Sequence, residues 1–186
     1  MSERGTLFID NIQFHKELSD FLVQDFETEE GSNLMGGHHA TYAYGAAAAN
    51  GVYTTSSPNK IYGISYGGSI GEVFGYDQGL NFAGWTMDLK GVNCAGCGSL
   101  SFKIKGAEGG ERPNIYLDDG NFRWPVDIER YGEVTTEWST VTIPLEEYAK
   151  YGVDLTHLAE IQFIFEWEKM SGTIYVDDVK FGSDEM

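Results

Sequence analysis

The stretch "EIQFIFEWE" at residues 160–168 puts Ile161, Phe163, Phe165 and Trp167 on one side of an extended chain, with Gln162, Ile164, Glu166 and Glu168 on the other. A period of two is that of a β-strand with one face in a core. Working outward, the same alternation recurs. In "SLSFKIKG" (99–106), Leu100, Phe102 and Ile104 oppose Ser101, Lys103 and Lys105. In "PNIYLDDG" (113–120), Ile115 and Leu117 turn inward, and Asn114, Tyr116 and Asp118 turn outward. "STVTIPL" (139–145) and "GTIYVDDVKF" (172–181) continue the pattern. Turn-forming clusters separate these runs: "YGGSIG", "GAEGGERP", "DDGN" and "KMSG". One short helix is expected in "PLEEYAKYG" (144–152), started by Pro144 and ended by Gly152, and a second helical turn near "DLTHLAE" (154–160). Many antiparallel strands with little helix define an all-β domain, an antiparallel β-sandwich of the jelly-roll type.

The totals agree with one such domain. The chain has 186 residues, 41% of them hydrophobic and 14% aromatic, with 24 glycines for tight turns. Twelve basic residues against 29 acidic ones give a net charge of −17, which repels phosphate backbones and anionic membranes, so nucleic-acid and membrane partners are not expected. No apolar run approaches the roughly 20 residues of a membrane span. The first thirty residues lack the charged start and apolar stretch of a signal peptide, which leaves a cytosolic protein or a piece of a longer secreted chain. "GTLFIDNIQF" (5–14) echoes "GTIYVDDVKF" (172–181) in its Gly, Thr, Asp and Phe, and the echo favours the second. On that reading residues 1–17 are the closing strand of a preceding module plus a linker, and residues 18–186 are the complete domain. The alternative is that both strands pair within one sandwich and resemble each other by chance. Cys94 and Cys97 in "GVNCAGCGSL" read as a loop dithiol or local disulfide, ahead of a metal site completed by His38 and His39 or a redox centre.

Several pieces line up in order: "VQDFE" (23–27), "SNLMGG" (32–37), "NFAGWTMDLKG" (81–91), "SLSFKIKG", "EWSTVTIPLEEY" (137–148), "LTHLAEIQFIF" (155–165) and "GTIYVDDVKF". Together they resemble the galactose-binding-like β-sandwich superfamily, and within it carbohydrate-binding modules of the family 11 type and their CIA30-like relatives, "NLMGG" being on the CIA30 side. The resemblance spans almost the whole domain. It implies a non-catalytic, extracellular module that sits beside a glycoside hydrolase, as in a cellulase, and holds the enzyme on a polysaccharide such as a β-glucan or a related plant glycan. It also implies a structural calcium ion where the first and last strands meet. Glu27 and Asp177 match the ligand positions best, and Asp25 and Asp178 are second choices. Calcium takes six to eight oxygen ligands, and "QDFETEE" and "YVDDVKF" supply carboxylates on the two strands. Solvated surface acids are the plainer reading of the same residues.

A sugar ring has an apolar C–H face and a rim of hydroxyls, so its site needs aromatic platforms and planar hydrogen-bonding groups. The outward positions on the concave sheet nominate Tyr116, Asn114 and Asp118, then Arg123 and Trp124 in "DGNFRWPV", then Gln162 and Glu166. The early strands add Tyr42, Tyr44, Tyr62 and Tyr66, with His38 and His39 at their loop. Trp85 and Trp138 read as packing, and Trp167 as core or rim. A jelly-roll glycosidase or lyase is the enzymatic alternative. It would need a facing carboxyl pair, for which Glu166 and Glu168 are the nearest, yet no E-x-D-x-E run is present. The third class, a CIA30-like assembly domain, would show a broad apolar patch instead of an aromatic groove.

Overall fold

The computed structural model describes residues 21–27, 31–44, 47–54, 61–67, 82–166 and 171–183. The opening echo at 5–14, the linker, Glu29, Glu30, Trp167 and Glu168 lie outside the described residues.

Eleven strands are present among the described residues: β1 (Phe21–Gln24), β2 (His39–Tyr44), β3 (Ala48–Thr54), β4 (Ile61–Gly67), β5 (Phe82–Val92), β6 (Ser99–Gly106), β7 (Asn114–Asp118), β8 (Arg123–Asp127), β9 (Ser139–Pro144), β10 (Leu158–Phe165) and β11 (Ser171–Gly182). They form two antiparallel sheets. One runs β3-β4-β11-β6-β9, with β1 also paired to β11, and the other runs β2-β5-β10-β7-β8. The chain is an all-β sandwich, as the alternation predicts.

Strand β10 is central to the second sheet, with Gln162 opposite both Thr86 of β5 and Tyr116 of β7. Its inward residues Ile161 and Phe163 are fully buried. The Phe163 ring lies 5.2 Å from Trp85 in its own sheet and 4.9 Å, edge-on, from Phe102 of β6 in the opposite sheet. These cross-sheet contacts join the two layers, and each fully buried aromatic contributes roughly 1.5–3 kcal/mol of transfer energy. Tyr62 and Tyr66 are buried in the same core, Tyr62 stacked on Phe26 and Tyr66 on Phe165. That placement removes both tyrosines from the expected binding face.

Two local expectations change. Helix α1 is confined to Glu146–Ala149, because β9 runs on through Pro144; Gly152, at φ +105°, ends the segment. "DLTHLAE" forms no helix. Asp154 Oδ1 accepts hydrogen bonds from the backbone N–H and hydroxyl of Thr156 in a turn, and the strand begins at Leu158.

"SNLMGG" proves to be a structural latch. The buried Asn33 side chain accepts from the backbone N–H groups of Met35 (3.0 Å) and Gly37 (2.8 Å) and donates to the Asp88 carbonyl (2.7 Å). This fastens the β1–β2 loop to β5. A Cβ at Gly37 would stand 1.9 Å from that same carbonyl, so only glycine fits. Gly37→Ala is therefore expected to cost about 2 kcal/mol or more, measured by urea unfolding. An unchanged midpoint would contradict the latch.

Candidate functional site: the outward face of the five-stranded sheet

Because the register is regular, the outward positions fall into rungs that cross the sheet. One rung runs Ala40, Thr86, Gln162, Tyr116, Pro125. The next towards the chain end of β10 runs Tyr42, Gly84, Ile164, Asn114, Asp127. On the other side, Asp88, Glu160, Asp118 and Arg123 share a rung. Six of the nominated residues thus converge: Tyr116, Asn114, Asp118, Arg123, Gln162 and Tyr42, with Glu166 just past the end of β10.

They are linked by hydrogen bonds. Glu166 Oε1 accepts from the Tyr116 hydroxyl (2.7 Å) and from Asn114 Nδ2 (3.0 Å). Arg123 donates from its guanidinium to Gln162 Oε1 (2.9 Å) and lies 5.2 Å from the centre of the Tyr116 ring. Gln162 is only 6% exposed and forms the floor, while Arg123 is exposed above it. Two residues of this face were not nominated. Glu160 Oε2 accepts from Gln162 Nε2 (2.7 Å) and from the Thr86 hydroxyl (2.8 Å). Both follow from parity, since Glu160 stands two residues before Gln162 and Thr86 lies opposite it.

Tyr42 lies flat across the sheet because Gly84 has no side chain; a Cβ there would meet the Tyr42 ring carbon Cζ and hydroxyl at 2.8 Å. Its hydroxyl is buried without a hydrogen-bond partner, and burial raises its proton affinity, partly countered by the Arg123 charge. Burial raises the Tyr116 phenol likewise, reinforced by its hydrogen bond to Glu166. Both phenols are therefore neutral donors. Tyr44, 61% exposed, stacks on Phe82 at 5.4 Å and extends the aromatic surface at the edge strand.

Other nominated residues are placed elsewhere. Trp124 does not join the face. It pairs with Leu117 and shares its inward parity, half-buried against the core with its ring stacked 4.0 Å from Tyr151. Trp138, expected in the core, is instead 39% exposed on the other sheet. Trp85 is fully buried as expected. His38 is exposed at the loop end of β2, its Nδ1 3.4 Å from the Ser32 hydroxyl. His39 points inward: its ring faces the Tyr53 hydroxyl (2.6 Å) and accepts from the Trp85 indole (3.3 Å), and burial lowers its pKa. Cys94 and Cys97 form a dithiol rather than a disulfide, both buried in the turn leaving β5.

Of the carboxyl pair nominated for a glycosidase, Glu166 with Glu168, the second lies outside the described residues. Among the described acids of this face, Glu160, Glu166 and Asp118 each accept fixed hydrogen bonds, Asp118 from the backbone of Gly120 at 2.6 Å.

The proposed cation position lies at the β1–β11 junction. Asp177 is 7% exposed, and burial, reinforced by the charge of Asp178, pushes its carboxyl up to about 6. The Glu27 carboxylate acts on it in the same sense. Phe26 and Asp178 both adopt positive φ, at 54° and 48°, Asp178 within the register shift between β11 and β6. Asp25 is engaged otherwise, its Oδ1 accepting from the Glu27 backbone N–H at 3.1 Å. Among the described residues no group of three His, Cys, Asp or Glu side chains converges. A buried carboxylate beside a second one nevertheless fits a hard cation completed by backbone oxygens.

With this geometry in hand, the class is defined: the model of the family described as Carbohydrate binding domain 30 matches residues 18–183. The chain belongs to that family of carbohydrate-binding modules. No curated protein matches the sequence. Among solved structures, a family 11 carbohydrate-binding module from Clostridium thermocellum, in complex with a β-1,3-1,4-mixed-linked tetrasaccharide, is 16% identical with a TM-score of 0.68; the match covers 88% of this chain and 95% of that one. The family 30 module of the cellulosomal cellulase Cel9D-Cel44B of the same organism is 19% identical, with a TM-score of 0.62 and coverage of 90% and 99%. A β-1,2-glucanase from Parabacteroides distasonis aligns with a TM-score of 0.67 at 15% identity, over 90% of this chain but 26% of that enzyme. The family 11 likeness thus holds at the level of fold, and the family itself is 30.

Because Trp124 packs on Tyr151, Trp124→Ala is expected to lower stability by about 2–3 kcal/mol. A thermal or urea melt indistinguishable from the unsubstituted protein would contradict this placement.

Proposed function

We propose that the outward face of the five-stranded sheet binds a β-linked glucan or related plant polysaccharide, and that the module holds an appended glycoside hydrolase on that substrate outside the cell. The observation that carries this reading is the Tyr116–Arg123–Gln162–Glu160 network. A phenol ring lies beside a guanidinium, and both are flanked by planar donors and acceptors on two adjacent rungs of the sheet. Such groups pair with vicinal hydroxyls in two-point hydrogen bonds, while phenol rings accept the C–H face of a pyranose. Because hydrogen bonds within the sheet already fix these side chains, little conformational entropy is lost on binding. Two structurally similar modules support the ligand class: one is seen with a β-1,3-1,4-mixed-linked tetrasaccharide, and another belongs to a cellulosomal cellulase. In this reading the parent chain carries tandem modules or a catalytic domain.

Affinity electrophoresis on mixed-linkage β-glucan tests the site. Retardation is expected for the unsubstituted protein and a loss of tenfold or more in affinity for Arg123→Ala and Tyr116→Ala, because each removes a platform and leaves partners unpaired. Equal retardation of all three, with intact folding, would remove this face from the account.

A structural calcium ion belongs to the same proposal, held by Asp177 and Glu27 with backbone oxygens. Its role there is to neutralise a buried acidic junction between the first and last strands. Without the cation, folded Asp177 keeps its proton to about pH 6, so the native state binds more protons than the unfolded chain from roughly pH 4 upward. Stability should then fall as pH rises through that window. Calcium should reverse the loss. Excess chelator is expected to lower the Tm at pH 7, and Asp177→Asn to abolish that sensitivity. A chelator-independent Tm in the unsubstituted protein would eliminate the ion.

A further inference from the structure

The outward face of the other sheet carries a feature that the glucan site does not use. Val52 of β3 pairs with Gly63 of β4, Gly63 with Tyr175 of β11, and Tyr175 with Lys105 of β6. Trp138 immediately precedes Ser139, which pairs with Ile104, and so ends the same rung. Lys105 Nζ lies 5.1 Å from the Trp138 ring centre and 5.2 Å from that of Tyr175, poised between two aromatic surfaces. The Tyr175 ring lies over Gly63, where an added Cβ would come 3.3 Å from its Cε1. Trp138 is 39% exposed, a large solvent-facing ring held by its neighbours on a sheet.

The adjacent rung opens into a hollow. Asp177 of β11 pairs with Lys103, and Lys103 with Thr140 of β9. Beside them lies a cavity of about 270 Å³ lined by Leu22, Ser101, Phe102, Lys103, Thr140, Asp178 and Lys180. Lys103 Nζ pairs with Asp178 Oδ2 at 2.6 Å. Lys180 is exposed and makes no ion pair among the described residues. Asp177, opposite Lys103, is buried, and among the described residues Lys105 and Lys180 make no ion pair, in a chain whose net charge is −17. An aromatic bar next to a pocket that mixes apolar side chains with hydroxyls and an ammonium group suits an amphipathic ring that carries an anion.

We infer that this face is a second carbohydrate site, separate from the glucan site, that takes an acidic polysaccharide: a hexuronate ring rests on Trp138 and Tyr175, and carboxylates along the chain pair with Lys105 and, roughly 13 Å further along β6, with Lys180. The two faces then differ in charge as well as position. Glu160, Glu166, Asp118 and Asp88 on the first face repel a uronate, whereas the second face supplies its counter-charge. Two sites on opposite sheets let one module bridge neutral and acidic chains of the same plant matrix, with a gain in avidity when both are held.

Isothermal titration with tetragalacturonate and, separately, with a mixed-linkage glucan tetrasaccharide tests the inference. Tetragalacturonate is expected to bind the unsubstituted protein, with affinity falling as salt rises. Trp138→Ala and Lys180→Gln should each weaken it by tenfold or more and leave glucan affinity unchanged, whereas Arg123→Ala should do the reverse. Lys180 is exposed, so that variant keeps its fold even where Trp138→Ala does not. Any of three results would overturn the inference: no heat with tetragalacturonate, undiminished affinity in Lys180→Gln, or competition between the two sugars for one site. Self-association that occludes Trp138, seen by sedimentation, would overturn it as well. Because each sugar is measured on its own variants, failure here is distinct from failure of the glucan reading.

Discussion

The two-residue period of β10 is the constraint on which the rest depends. Ile161 and Phe163 face inward and meet Phe102 across the sandwich, while Glu160 and Gln162 face outward on the same strand. Burial on one side fixes the register, because a slip of one residue would drive Glu160 and Gln162 into the core and expose Phe163. With β10 fixed, β5 and β7 are fixed on either side of it, and through them β2 and β8. The outward face is thus a consequence of the core, since the inward residues fix the side from which its side chains project.

This explains why the outward direction of much of the candidate site was legible in the sequence. Asn114, Tyr116, Asp118, Gln162 and Glu166 all lie in runs whose inward residues are unmistakably apolar, so their outward direction follows from counting. Arg123 is less simply read, since "RWPV" has no alternation of its own. Its parity is set by the hairpin that pairs Leu117 with Trp124 and Asp118 with Arg123. The same hairpin turns Trp124 inward, where an isolated exposed tryptophan had been expected. Trp138 went astray for a related reason. It lies just before β9, and only the pairing of Ser139 with Ile104 reveals which side it takes. Strand pairing is non-local information, and periodicity within a run cannot supply it.

The early strands show a second limit. Tyr42, Tyr44, Tyr62 and Tyr66 are one residue type with three fates: flat on the outward face, exposed at the edge, and buried between the sheets. Glycines decide two of these. Gly84 admits the Tyr42 ring on the surface, and Gly51 admits the Tyr62 hydroxyl in the core, where a Cβ would come 1.8 Å from it. The pairing of a glycine with a cross-strand aromatic ring is a signal that composition alone conceals.

The central claim is that the outward face of the β2-β5-β10-β7-β8 sheet receives the glucan. Amide chemical shifts recorded while a mixed-linkage β-glucan tetrasaccharide is titrated into ¹⁵N-labelled protein would address it most directly. The account predicts that the perturbed amides cluster on Thr86, Tyr116, Arg123 and Gln162 and their rung neighbours. Perturbations confined to the opposite sheet or to the loops, or none at saturating sugar, would contradict it.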